Sequence, residues 1–124
     1  MTTKEEFIER LRNRTKRFAV NVIRFCDTLK IGKASSVITY QLIKSATSTA
    51  ANYRAACRAR SNKEFYSKIC IVVEEADETE YWLEVIKDAE LTENTLELEE
   101  LLNEIIEIIK IMSKAKSTSS NKNM

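Results

Sequence analysis

One glycine, Gly32, and no proline in 124 residues constrain this chain more than any motif in it. Those two residue types punctuate turns and open the bends of sheets, so a chain nearly without them runs in long, uninterrupted helices. The class that follows is all-α. A chain of 124 residues also fits one domain large enough to bury a core without disulfide or metal staples.

Apolar spacing divides the chain into four helices. Thr3-Lys4-Glu5-Glu6 has the form of a capping box, and Phe7, Leu11, Phe18, Val22, Phe25 and Leu29 follow at three- and four-residue steps, predicting a first helix from about Thr3 to Lys30. Gly32 falls where a helix C-cap or tight link calls for positive φ. Ser35 or Ser36 caps a second helix that continues to about Arg60. Ser61 and Glu64 form a second capping box, which leaves a very short joint and an antiparallel hairpin. The third helix has a seam of Phe65, Ile69, Val72, Ala76, Thr79, Leu83 and Ile86 and ends near Ala89. Asn94 caps the fourth, with Glu97 at its third position, and the helix runs to about Ala115.

The expected architecture is an antiparallel up-down-up-down four-helix bundle filling residues 1–115 as a single domain. Residues 116–124, KSTSSNKNM, are polar without apolar periodicity and are expected to be a disordered tail. Two helices carry more apolar surface than one stripe needs. On the fourth, positions 98, 101, 102, 105, 106, 108, 109 and 112 are all Leu, Ile or Met, and the third adds Trp82 and Val85 outside its seam. A lone bundle has no central helix to hide such surplus, which predicts a homo-oligomer with Trp82 and Val85 at the subunit interface.

Several kinds of chemistry are excluded at this point. With no histidine, Ser/His/Asp and Cys/His nucleophilic arrangements and the Glu-x-x-His di-iron sites of bundles are impossible. A single glycine cannot build a phosphate-cradling loop. Glu75 and Glu78 could share a helix face and hold a divalent metal as in a nuclease, but carboxylates on an exposed helix ordinarily face solvent or pair with Arg. The expectation is a protein that is not an enzyme and needs no cofactor or metal. Three cysteines, Cys26, Cys57 and Cys70, with no CxxC pair fit reduced thiols and a cytoplasmic location. The first residues contain no apolar leader, and no stretch approaches a membrane span.

The net charge of +1 conceals a strong asymmetry. Residues 1–68 hold fifteen Lys and Arg against five Asp and Glu, whereas residues 69–124 hold five against fourteen. Basic helices pairing with acidic ones account for part of this; a cationic surface for a polyanion is the sharper reading. Its candidates are Arg10, Arg14 and Arg17 along one side of the first helix and Arg54, Arg58, Arg60 and Lys63 at the hairpin. Few aromatics lie among them, so backbone contact rather than base stacking is expected.

The stretch QLIKSATSTAANYRAACRARS, residues 41–61, is unusual for a soluble helix because its interior is built from Ala, Ser, Thr and Asn. Small side chains let two helix axes approach closely. Asn52 cannot be fully satisfied within its own helix and calls for a mate, Glu75 or Glu78, in a buried polar network with Ser45 and Ser48. From Gln41 to Ile86 the chain resembles the four-helix 23S rRNA intervening-sequence proteins. The resemblance rests on Q-x-x-K-S-A-x-S, N-Y-x-x-A, Ser61-x-x-x-Phe65 and E-A-x-E-T-x-Y-W-L, with Lys44 standing where the family commonly has Arg. It implies a ring-like homopentamer and kinship with the basic accessory variability protein of diversity-generating retroelements. The combined expectation is a non-catalytic homo-oligomer that binds RNA or DNA backbone, as an accessory to a nucleic-acid enzyme; the alternative is a scaffold module with a protein partner.

Overall fold

The computed structural model describes residues 3–122. It contains four helices, α1 (Lys4–Cys26), α2 (Lys33–Cys57), α3 (Asn62–Asp88) and α4 (Thr95–Lys122). Each packs on the next in chain order and α1 returns to α4, so the four form an antiparallel up-down-up-down bundle in which the close backbone approaches are between neighbouring helices. The α2–α3 seam is the most extensive and the α1–α4 seam the sparsest. One end, the linker end, joins α1 to α2 and α3 to α4. A hydrogen bond from the Lys30 N–H to the Leu91 carbonyl at 3.0 Å ties its two links together. The other, the hairpin end, gathers the start of α1, the α2–α3 turn and the end of α4.

Local chemistry sets the helix starts. Thr3 Oγ1 accepts from the Glu6 N–H at 3.1 Å while the Thr3 N–H donates back to Glu6, a complete capping box. Asn94 caps α4, accepting from the Glu97 N–H and donating its own amide to the Glu97 carboxylate. At Ser61 only half of the expected box forms: Ser61 Oγ accepts from the Glu64 N–H at 3.1 Å, but the Glu64 carboxylate turns to Arg60 at 3.7 Å.

α1 stops at Cys26, earlier than expected, in a turn closed by Thr28 donating to the Phe25 carbonyl at 2.7 Å. α2 likewise stops at Cys57 rather than Arg60. Gly32 is not a positive-φ cap. It sits at the N-cap of α2 in extended backbone, φ 165°, with open space where a side chain would be. The left-handed residue among the described ones is Glu90, φ 54°.

The core runs the length of the bundle through Leu11, Phe18, Val22 and Phe25 of α1, Leu42 and Tyr53 of α2, Ile69, Val72, Leu83 and Ile86 of α3, and Leu98, Ile105, Ile108 and Met112 of α4. Ala46, Ala56 and Ala76 are as buried as these, which is how α2 and α3 come so close. No buried side-chain nitrogen or oxygen among the described residues lacks a partner.

Two expectations about α4 are corrected. The helix does not stop near Ala115; residues 116–122, expected as a disordered tail, continue it, and 123–124 lie outside the described residues. The missing signal is apolar because the contact is polar: Asn62 Nδ2 donates to the Ser119 carbonyl at 3.1 Å and Ser119 Oγ donates to Asn62 Oδ1 at 3.2 Å. Nor does α4 hold the large apolar surplus expected of it. Leu98, Leu101, Leu102, Ile105, Ile108 and Met112 are buried within the chain, and Ile109 and Ile111 pack against them. The apolar arc is wide because α4 has two seams to fill, one with α1 and one with α3. Ile106 and Leu96 remain exposed, but most exposed apolar residues lie on α1, α2 and α3.

Candidate nucleic-acid interface

Antiparallel packing brings sequence-distant cations to the hairpin end. Arg54 lies on the last turn of α2, Arg58 is its C-cap, Arg60 lies in the α2–α3 link and Lys63 is in the first turn of α3, all exposed. The Arg12 guanidinium acts electrostatically on both Tyr53 and Cys57, which places the Arg10–Arg12 level of α1 beside the same last turns of α2. Arg10 is exposed there. Among the described residues Arg10, Arg54, Arg58 and Lys63 form no ion pair, and Arg60 reaches Glu64 only at 3.7 Å while 91% exposed. An exposed pair at that distance screens little of the arginine's charge from an incoming anion.

The α1 arginines do not act as one group. Arg14 makes a two-pronged bond across the α1–α4 seam, Nε to Glu104 Oε2 and Nη2 to Glu104 Oε1, both at 2.7 Å. That bond, with the surrounding carboxylates, holds its guanidinium pKa above the ordinary value. Arg17 lines the same groove of about 450 Å³, whose opposite wall carries Glu97, Glu100 and Glu104. A phosphate approaching here meets more carboxylates than free guanidinium groups. Arg14 therefore belongs to an intramolecular charge seam, Arg17 borders it without an ion pair among the described residues, and Arg10 lies at the level of the hairpin cations.

The polar network also differs from expectation. Asn52 needs no mate on α3: half-buried, it donates to the Ser48 carbonyl at 2.9 Å and to Ser48 Oγ at 3.0 Å, one turn back on its own helix. The link across α2 and α3 is Thr79, whose hydroxyl lies 2.9 Å from Ser45 Oγ and 2.8 Å from the Glu75 carbonyl. Thr79 reads in sequence as one more seam position, and its apolar neighbours hide the hydroxyl's role. Glu78 accepts from Trp82 Nε1 at 3.2 Å. Burial raises the Glu75 pKa, and the neighbouring Glu78 charge adds to this against the pull of Lys44. No group of three or more metal-ligating side chains forms among the described residues, so this acidic pair stands without a third ligand. Trp82 and Val85 are half-buried on α3, with the Trp82 ring edge-on to Tyr81 at 5.0 Å.

The sequence reading missed part of the cationic end. Lys110, Lys114, Lys116 and Lys122 lie on the last turns of α4, which return to it. A signal was present: past Glu107 the chain has no acidic residue. All three cysteines are free thiols. Burial pushes Cys26 up to about 11. No helix among the described residues is long and apolar enough to cross a membrane.

The fold and the charge distribution thus define a small all-helical bundle with a cationic end and an internal charge seam. The chain belongs to the 23S rRNA-intervening sequence protein family, whose sequence profile matches residues 10–114. Among solved structures it is similar to a protein of unknown function from the S23 ribosomal protein family of Bacteroides thetaiotaomicron. That match has 30% identity and a TM-score of 0.75, and covers 86% of this chain and 97% of the other. No curated protein gives a significant match.

Proposed function

We propose that this protein is a non-catalytic, cytoplasmic homo-oligomer, a pentamer by family resemblance, that binds the backbone of RNA or DNA through its cationic hairpin end and serves as an accessory to a nucleic-acid enzyme. The observation that carries the reading is the cluster of exposed cations, Arg54, Arg58 and Lys63, without ion-pair partners among the described residues at an end the antiparallel fold also supplies with Arg10. Such groups release counterions as they neutralise phosphates, and repetition around an oligomer multiplies the effect. The free thiols support a reducing compartment.

Filter binding to a structured RNA and to duplex DNA at two salt concentrations tests this. The expected result is retention that falls steeply with salt, with a log-log slope that flattens by about 1.5–2 in the Arg54→Ala/Arg58→Ala double variant. Negligible retention at both salts, on either nucleic acid, overturns the reading and favours a scaffold with a protein partner.

A further inference from the structure

We infer that the end of α4 forms part of the polyanion-binding surface, with Lys114, Lys116 and Lys122 acting beside the α2–α3 hairpin cations; this rests on the nucleic-acid reading above. Arg14 lies opposite Glu104 and the two helices are antiparallel, so Lys4, ten residues back on α1, comes level with Lys114, ten residues on along α4. The residues beyond Lys114 therefore run past the start of α1 and reach the start of α3. There the Asn62 amide takes hold of Ser119 through both its carbonyl and its hydroxyl, and Ser119 is 3% exposed. Those two bonds anchor the last described turns of α4 to the first residue of α3.

The consequence is a placement. Lys63, next to Asn62 in the chain, and Lys116 and Lys122, one turn either side of Ser119, are fixed at one end by the same clamp. None of Lys63, Lys114, Lys116 and Lys122 has an ion-pair partner among the described residues, and no acid follows Glu107 to supply one locally. A protein that needed these lysines only to balance the acidic half of its own chain would place them among the carboxylates of α3 and of the first turns of α4. The fold instead carries them to the opposite end, where Glu5, Glu6 and Glu9 of α1 and Glu64 of α3 are the nearby acids and none pairs with these lysines among the described residues. A densely charged, extended anion is the partner that gains from this arrangement, because its affinity accumulates with each phosphate contacted and needs no shaped pocket.

The test uses the full chain and fluorescence anisotropy with a labelled RNA hairpin, and the matching DNA duplex, across a salt series. The Lys114→Gln/Lys116→Gln/Lys122→Gln variant is compared with Arg24→Gln/Lys30→Gln/Lys33→Gln, which removes the same charge nearer the linker end. Circular dichroism checks that both remain helical. The α4 variant is expected to lose roughly tenfold or more in affinity near 0.1 M salt and to flatten the salt slope by about 2–3, while the linker-end variant changes the slope little. Ser119→Ala, which keeps every lysine, is expected to raise amide exchange over 115–122 and weaken binding by less than the lysine variant does. Equal effects of the two triple variants, with binding still lost in Arg54→Ala/Arg58→Ala, overturn the role of α4 and leave the general reading intact. Absence of binding by the parent protein overturns both.

Discussion

Glu90 carries the least expected backbone in the molecule. Its N–H bonds to the Lys87 carbonyl at 3.2 Å and the Leu91 N–H to the Ile86 carbonyl at 3.1 Å, the paired closure that ends a helix when the residue after its cap turns left-handed. Glycine usually fills that position because a Cβ there is crowded. The chain spends its one glycine elsewhere, in extended backbone that any residue adopts, and Leu91 packing against the core holds Glu90 in place. Glu90→Gly should therefore raise unfolding stability by about 0.5–1 kcal/mol and the thermal midpoint by roughly 2–4 °C. An unchanged or lower midpoint would show that the left-handed turn is unstrained. Sequence could not reveal this position, since Glu90 follows helix-favouring residues and precedes Leu91 with no turn signal. The same limit applies to Asn52: the expected mate on α3, Glu75 or Glu78, is not taken, because its side-chain rotamer turns the amide back to Ser48 on its own helix.

At the scale of helices, α2 shows why small residues were chosen. Ala46, Ala56 and, across the seam, Ala76 are fully or almost fully buried, and Ser45 and Thr49 are 1% exposed between them. Each hydroxyl returns to its own helix, Ser45 to the Leu42 carbonyl at 3.1 Å and Thr49 to the Ser45 carbonyl at 2.8 Å, so close approach leaves nothing polar stranded. Thr79 adds a side-chain bond across the seam, to Ser45 Oγ. Ala46→Leu has no space to enter and should cost about 1–3 kcal/mol in chemical denaturation. A cost near zero would mean that α2 and α3 separate easily, against the close packing described. The four helices and the N-caps of α1, α3 and α4 were readable because periodicity and capping are local properties, whereas α2 starts at Gly32 rather than at the expected Ser35 or Ser36. The continuation of α4 was not, because Asn62, fifty-seven residues earlier, is what holds it.

For the whole molecule, the charge asymmetry noticed along the chain becomes an asymmetry between ends. α3 and the first turns of α4 direct most of their acids toward the linker end, while α4 carries its last lysines back to the hairpin end. The oligomer proposal keeps half-buried Trp82 and Val85 of α3. It gains exposed apolar residues, Val37 and Tyr40 on α2 and Tyr81 on α3, each more than half exposed, while most apolar side chains of α4 are covered by its own chain. Light scattering at micromolar concentration should give a mass several times the 14.3 kDa of one chain, near fivefold for a pentamer. A mass of one chain would overturn self-association and the multiplied charge that depends on it. By itself the sequence determined the helical class, the number and order of helices, and the residue types available for binding, because these follow from spacing, capping and the near absence of glycine and proline. Tertiary structure alone decided which cations are free. Arg10, Arg14 and Arg17 share one side of one helix, yet Arg14 meets a carboxylate ninety residues away and Arg10 does not, and ion pairing depends on distance in space rather than along the chain.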